Sequence, residues 1–245
     1  TLTDALIRHL LQNDKKVAVL CVDPSSPFNL GSLLGDRIRM SQWYNNPSVY
    51  IRSLAARGSL GGLHPYIIEI TDILKSSVFD YIIVETVGVG QSEVEVAGLA
   101  DVTIVVLVPE AGDEIQTMKA GLMEIADIFV INKADRPDAD HFVKNLRSLL
   151  APAFKDPLHN PAIIKTIATR QEGIETLHAA IKERLQVTVN KKRRFVLLAQ
   201  KAWQLIQKKR MKDLQLAQIA AAIEEAVQKG DDFNLYSFVN KYQTP

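Results

Sequence analysis

Cysteine is almost absent from this 245-residue chain, with Cys21 the only one. A single thiol excludes an internal disulfide framework and any cysteine-rich metal site, and it makes a reducing compartment the default expectation. Five histidines (His9, His64, His141, His159 and His178) are scattered without the H-E-x-x-H spacing of a helical zinc site, so they read as surface or packing residues. Neither sign of charge dominates. Twenty-nine Lys and Arg stand against 28 Asp and Glu, a formal net charge of +1, which argues against general electrostatic capture of nucleic acid or membrane. No apolar run approaches the roughly 18 residues of a membrane span. There is no charged-then-apolar leader with a cleavage site, no internal repeat and no low-complexity tract. The expectation is a soluble intracellular protein, cytoplasmic or, in a eukaryote, in the mitochondrial matrix.

What is present is ordinary globular material, 47% hydrophobic and 23% charged, and long enough for a real core. The charge is unevenly placed. Residues 190–245 carry 11 Lys and Arg against 5 Asp and Glu, whereas residues 1–189 carry 18 against 23. Such a shift marks a change of module, placed here near Thr188–Arg194. The first module, residues 1–189, alternates two periodicities. Lys16–Asp23, Tyr81–Val87, Val102–Val108 and Asp127–Ile131 are short Val- and Ile-rich runs, continuous rather than alternating, as strands buried on both faces of a parallel sheet require. Between them apolar residues recur at helical spacing, as at Leu6 and Leu10 or at Ile70, Ile73 and Leu74. This alternation predicts a doubly wound, mainly parallel α/β domain. The second module, residues 190–245, reads as a helical arm with Phe195, Leu198, Ala202, Leu205 and Ile206 at helical intervals. A second series runs from Leu216 to Val227 and stops at Gly230, and Phe233–Tyr242 reads as a last short helix. The basic stretches Lys191–Arg194 and Lys208–Lys212 read as the solvated side of a dimerisation arm that carries Trp203 and Leu205 on its other side, rather than as a nucleic-acid surface.

The chain opens on Thr1 and is helical almost at once, where an α/β nucleotide-binding domain should open on a strand and a loop. The expectation is that this first strand and the G-x-x-x-x-G-K-[ST] phosphate loop are missing here, and that the chain as written is poorly folded without them.

Three constellations carry chemistry. Asn132-Lys133-Ala134-Asp135 follows directly on the apolar run Asp127–Ile131. A carboxylate such as Asp135 can accept hydrogen bonds from guanine N1–H and the exocyclic amine, a pair adenine does not offer. The Asn132 amide can support the loop and reach the base, and the Lys133 stem can lie over its face. The alternative is a polar turn. Second, Glu85-Thr86-Val87-Gly88 closes another apolar run. A strand-ending carboxylate and a glycine N–H near a terminal phosphate form the Mg²⁺ and γ-phosphate arrangement of P-loop NTPases, although most use Asp where Glu85 stands. The alternative is a strand-ending acid with a turn glycine. Third, Val22-Asp23-Pro24-Ser25-Ser26 precedes Gly35-Asp36-Arg37-Ile38-Arg39. Asp23, Asp36 and Glu85 can surround Mg²⁺ directly or through water, and Arg37 and Arg39 are candidates for phosphate or a partner's acids. Capping by Asp23 or Ser25 and surface ion pairs for the arginines are the alternatives.

Taken together, KVAVLCVDPSS, GSLLGDRIRM, ETVGVGQSE and GLMEIADIFVINKAD resemble the MeaB/ArgK GTPases, over about residues 1–185. That family lies in the branch of P-loop GTPases that also holds nickel and cobalamin metallochaperones, and it includes the human protein of methylmalonic aciduria type A. The resemblance implies a homodimeric GTP-binding and GTP-hydrolysing chaperone that protects an adenosylcobalamin-dependent acyl-CoA mutase, notably methylmalonyl-CoA mutase, and gates its cofactor loading. It implies GTP/GDP and Mg²⁺ as cofactors, with Asp23, Asp36 and Glu85 as the Mg²⁺-side acids. Asp36, Glu85 and Gly88 then form the catalytic set, and Asn132, Lys133 and Asp135 read guanine. Thr1 looks like the residue after the phosphate loop's Lys-Ser. Glu110–Gln116, including Asp113, looks like an extra switch signalling nucleotide state, where the residues alone suggest an acid-rich helix start. Ile167 and Ala168 stand where the family usually has Ser-Ala, so an Ala168 N–H remains for the guanine oxygen while the Ser hydroxyl is lost. Val89 after Gly88, where Ras-like enzymes place the water-orienting Gln, suggests slow intrinsic hydrolysis. Two competitors stand beside this reading. One is an ATPase or kinase of lysine/arginine/ornithine transport, for which no phosphoacceptor site or base is identifiable. The other is a non-catalytic partner-binding module, since the phosphate loop is absent from the chain.

Overall fold

The structure, a computed structural model, describes residues 1–23, 40–55, 63–86, 92–109, 123, 125–151, 160–186, 191–212, 214, 216–228, 233–240 and 242. Ser25, Ser26, Asp36, Arg37, Arg39, Gly88, Val89 and Glu110–Gln116 lie outside the described residues, as does the side chain of Asp23. The chain divides into two compact units, Thr1–Leu197 and Leu198–Pro245.

In the first unit, helix α1 (Leu2–Gln12) leads into strand β1 (Val17–Asp23), a short 3-10 turn (Ser41–Trp43) and β2 (Val49–Ala55). Helix α2 (Ile67–Lys75), β3 (Tyr81–Thr86), α3 (Ser92–Leu99), β4 (Ile104–Leu107) and β5 (Ile128–Asn132) follow. Helix α4 (Ala139–Leu150), β6 (Ala162–Thr166), a 3-10 turn (Ala168–Arg170) and α5 (Ile174–Gln186) complete the α/β alternation. The strands form two parallel three-stranded sheets, ordered β2-β1-β3 and β4-β5-β6. Among the described residues β3 pairs only with β1, and β4 only with β5.

The central strands explain the architecture. Every residue from Val17 to Val22 in β1 and from Ile128 to Ile131 in β5 is buried. Such strands need apolar cover on both faces, and the clusters show what supplies it. Val17, Val19 and Cys21 of β1 join Ile128 and Val130 of β5 in one cluster with Ala5, Leu6, Ile7 and Leu10 of α1 and Ile174, Leu177 and Ile181 of α5. The alternate residues Ala18, Leu20 and Val22 pack with Ile67 and Leu74 of α2. Phe129 and Ile131 pack with Phe142, Val143, Leu146 and Leu150 of α4. Helices therefore cover both faces of each central strand, and α1 with α5 belongs to a core that both sheets share. This is the doubly wound parallel α/β architecture expected from the sequence.

Four expected strands are present, and two more were not expected. In β2 (VYIRSLA) exposed Tyr50 and Arg52 alternate with half-buried neighbours, and only Leu54 and Ala55 are buried, so no continuous apolar run marks it. Strand β6 (AIIKT) is five residues long and ends in polar side chains. Both are edge strands in their sheets.

Two polar anchors fix α1. Asp4 Oδ1 accepts hydrogen bonds from Trp43 Nε1 at 2.7 Å and Gln42 Nε2 at 2.5 Å, and the Arg8 guanidinium lies 5.5 Å from the Trp43 ring centre. At the other end of the helix, His9 Nε2 and His178 Nδ1 are 3.0 Å apart, and Tyr81 Oη is 3.0 Å from His178 Nε2. His178 is thus the buried link between α1, α5 and β3.

Taken by itself, the second unit holds the end of α6 (Lys191–Arg210), α7 (Leu216–Gln228) and α8 (Leu235–Asn240). Phe238 is buried, with ring contacts to Phe233 at 5.8 Å and Tyr242 at 5.3 Å. Among the described residues no helix is long and apolar enough to cross a membrane.

The His178 link makes stability pH-dependent. Burial, and then Lys182, His9 and Lys15, hold its pKa below the ordinary 6.5. The unfolded chain takes up this proton at a higher pH than the folded one, so the stabilisation is complete above the ordinary value and lost as pH falls through the lowered one. The urea midpoint is expected to drop between about pH 7.5 and 5, and His178→Gln to flatten that slope. An unchanged slope in the variant would assign the pH dependence to other groups.

Candidate functional site

The sequence-derived candidates fall into two groups. In the first, parallel pairing sets Cys21 of β1 against Ser53 of β2 on one side and Glu85 of β3 on the other. Residues in register on parallel strands point to the same face. The half-buried Glu85 therefore shares a face with Cys21, which packs in the cluster containing α1. The backbone of Asp23 continues β1 two residues further, paired with Ala55. Residues 23 and 85 thus belong to the carboxyl ends of adjacent strands, the position from which an open α/β sheet presents its ligand-binding groups. Thr1 is exposed at the N-cap of α1, and its carbonyl accepts the Ala5 N–H at 3.0 Å. Among the described residues no three His, Cys, Asp or Glu groups cluster closely enough to hold a metal.

The second group is built around one side-chain oxygen. Asn132 ends β5, in register with Thr166 at the end of β6. Asn132 Oδ1 accepts the Thr166 hydroxyl at 3.1 Å and the Ala168 backbone N–H at 3.2 Å. With both lone pairs of that oxygen engaged, the amide's remaining capacity is its NH₂ donor. The turn is held further by Ala134 N–H to Thr166 O at 3.1 Å and Arg136 N–H to Lys133 O at 3.0 Å. Lys133 takes a left-handed conformation, φ 57°, and its side chain is exposed. The Asp135 carboxylate, 37% exposed, lies 3.8 Å from the Arg170 guanidinium.

The turn carrying Arg170 is fixed by its backbone. Ile167 and Glu172 form an antiparallel bridge, with reciprocal N–H to carbonyl bonds of 3.1 and 3.3 Å. Gln171 adopts φ 62° and Gly173 φ 76°, and a Cβ on Gly173 would lie 2.2 Å from the Lys165 carbonyl oxygen. Only glycine fits there. Ala168 is buried, and its N–H, expected from the sequence to face a guanine oxygen, is given to Asn132. The half-buried Ile167 is the bridge residue.

The structure thus unites Asn132, Lys133, Asp135, Ile167 and Ala168 as two interlocked loops. It adds three residues that sequence reasoning missed: Thr166, Arg170 and Gly173. The one visible signal was Gly173 just ahead of the helical series from Ile174, as a turn of positive φ demands. Nothing in the sequence pairs Arg170 with Asp135.

Comparison with known proteins gives this arrangement its context. A family model described as methylmalonyl Co-A mutase-associated GTPase MeaB matches residues 1–223. A Pyrococcus abyssi protein, named provisionally as a GTPase, is 48% identical over 186 residues, covering 75% of this chain and 57% of that protein. The mitochondrial methylmalonic aciduria type A homolog of Caenorhabditis elegans is 44% identical over 133 residues, 54% of this chain and 33% of that protein. The chain thus spans little more than half the length of curated relatives that it matches. Among solved structures, nickel-bound HypB from Helicobacter pylori is similar with a TM-score of 0.52 at 18% identity, covering 76% of this chain and 80% of that one. At that identity the likeness concerns the fold alone, a parallel-sheet α/β P-loop GTPase fold.

Gly173 offers a direct check on the loop geometry. Gly173→Ala combines a left-handed backbone with a clash against Lys165 O, and is expected to destabilise the first unit by roughly 2–4 kcal/mol. Thr166→Val, which removes one donor to Asn132, should cost about 1 kcal/mol. Urea midpoints read both, and a neutral Gly173→Ala would refute the geometry.

Proposed function

The chain belongs to the MeaB family of methylmalonyl Co-A mutase-associated GTPases, and from that membership we propose that the complete protein is a GTP-binding and GTP-hydrolysing chaperone. Its proposed client is an adenosylcobalamin-dependent acyl-CoA mutase such as methylmalonyl-CoA mutase, which it protects and whose cofactor loading it gates. One observation carries the nucleotide part: Asn132, its oxygen satisfied internally by Thr166 and Ala168, stands in a loop that also presents Asp135. A fixed amide donor beside a carboxylate suits guanine, whose ring offers acceptors on one edge and two adjacent donors on the other. Adenine lacks that donor pair, so Asp135 supplies the discrimination.

Mg²⁺ is proposed at the other group, held by Asp23, Asp36 and Glu85. Hard oxygen donors suit it, and the pairing of β1 with β3 puts residues 23 and 85 at the carboxyl ends of neighbouring strands. Bound there, Mg²⁺ neutralises charge on the terminal phosphates. The Gly88 N–H and the start of α1 at Thr1 are assigned to the phosphate side. Val89 leaves no side chain to orient water, so slow hydrolysis that a partner accelerates is expected. Glu110–Gln116 is proposed to report nucleotide state to the mutase. The reading divides the chain into a GTPase domain over residues 1–189 and a dimerisation arm over 190–245. In support of the arm, Phe195, Val196, Trp203, Leu205 and Ile206 of α6 are exposed. The cytoplasm, or the mitochondrial matrix of a eukaryote, is the proposed location.

The test is calorimetry with GDP, ADP and Mg²⁺ on the full-length gene product, followed by capture of purified methylmalonyl-CoA mutase with GDP or a non-hydrolysable GTP analogue. Guanine-selective binding is expected, with Asp135→Asn weakening GDP on the order of 100-fold because one charge-assisted hydrogen bond becomes neutral and the other acceptor becomes an NH₂ donor facing a guanine donor. Mutase capture should differ between the two nucleotides. A full-length protein that binds no GDP would leave a partner-binding module without GTPase activity. Selective GDP binding without mutase capture would remove only the client.

A further inference from the structure

Resting on the guanine-binding reading above, we propose that Arg170 is a specificity-determining residue. It acts as an internal competitor for Asp135 that lowers the protein's affinity for guanine and its selectivity for the guanine amino group.

Guanine presents N1–H and the 2-amino group side by side, and a carboxylate meets both only with its two oxygens. In this structure one of them is already addressed: Asp135 Oδ2 lies 3.8 Å from Arg170 Nη2. The contact is an ion pair rather than a hydrogen bond, since N–H···O bonds close at about 3 Å. Such a contact is weak enough for a ligand to displace and strong enough to oppose it.

The backbone that carries the cation is fixed without a ligand. Arg170 ends a 3-10 turn locked by the Ile167–Glu172 bridge, the left-handed Gln171 and the glycine-only position 173. Its neighbour Glu172 supplies an alternative site, with Oε1 lying 4.0 Å from Arg170 Nη1. The guanidinium thus stands between two carboxylates, one proposed to read the base and one outside that role. When guanine arrives, its donors claim both oxygens of Asp135, and Arg170 is left to Glu172. When guanine leaves, Arg170 returns to a carboxylate that would otherwise stand alone. Paired with a cation in the empty state, Asp135 is a poorer bait for guanine and a more readily vacated one.

Inosine diphosphate isolates the effect because it keeps N1–H and lacks the 2-amino group. It needs one carboxylate oxygen, so Arg170 can keep Oδ2 while the base binds. Competition therefore falls on GDP and spares IDP. A solvent-exposed ion pair is worth little in water, so the changes are expected to be about two- to fivefold.

The experiment measures GDP and IDP dissociation constants for the full-length protein and its Arg170→Gln and Glu172→Gln variants, at low and high salt. Arg170→Gln should tighten GDP about two- to fivefold and leave IDP unchanged, raising the GDP-over-IDP preference. Glu172→Gln, which removes the alternative partner, should weaken GDP by a similar factor. Salt should shrink both differences. A structural role for Arg170 would instead weaken both nucleotides alike. That result, or an unchanged GDP-to-IDP ratio in Arg170→Gln, would overturn the proposal while leaving guanine binding intact. Failure of the wild-type protein to bind either nucleotide would overturn the guanine reading and this inference with it.

Discussion

Burial of β1 and β5 on both faces is the constraint from which the rest of the first unit follows. A strand apolar at every position cannot leave either face to water, and its peptide groups must be satisfied by neighbours on both edges. β2 and β3 flank β1, while β4 and β6 flank β5. α1 and α5 cover one face of both strands, with α2 and α4 on the opposite faces of β1 and β5 respectively. Once the interior is closed this way, polar chemistry is confined to strand ends. The candidate residues follow that rule: Glu85 is the penultimate residue of β3, Asn132 the last of β5 and Thr166 the last of β6.

The Asn132 corner obeys a second constraint, that a polar atom placed at the edge of a core must be satisfied. Asn132 Oδ1 is the hub because it accepts from two chain segments at once, a neighbouring strand through Thr166 and the following turn through Ala168. Those two bonds orient the amide without any ligand. They also give position 168 its structural role, since the buried Ala168 contributes its N–H to Asn132. At Ile167, where the resemblance led one to expect serine, the backbone bridge to Glu172 holds the turn.

How much of this was legible depends on whether the signal was local. β1, β3, β4 and β5 announced themselves by continuous Val and Ile runs, although only β1 and β5 are buried as such runs led one to expect; β3 is half-buried throughout, and β4 is half-buried with Val106 exposed. β2 did not, because Tyr50 and Arg52 break its apolar run, and β6 is too short and polar at its end. Asn132, Lys133 and Asp135 were legible as a motif following a strand. Thr166, Arg170 and Gly173 were not, since their roles arise from the pairing of β5 with β6 and from the backbone of a turn. The Asp4 carboxylate that receives Trp43 and Gln42 across more than thirty residues was equally invisible, there being no local pattern for it. Histidines read as packing residues included His178, but not its position as a three-element link.

The exposure of the recognition groups follows from reversibility. A carboxylate buried deep in the core would demand a permanent partner, because an uncompensated buried charge costs several kcal/mol. A permanent partner would exclude the base. A fully hydrated carboxylate would have to surrender its water each time guanine bound. Asp135 stands between these limits, partly exposed and loosely paired with a cation that has an alternative partner nearby. On the proposed reading, that arrangement keeps the charge compensated in the empty state and exchanges one donor for another when the base arrives. For the proposed switch, whose nucleotide must come and go, the useful property of the corner would be the small difference between these two states. In the proposed site the rigid parts, Asn132 and the Gly173 turn, would supply selectivity by geometry, and the exchangeable ion pair would set how firmly the selected base is held.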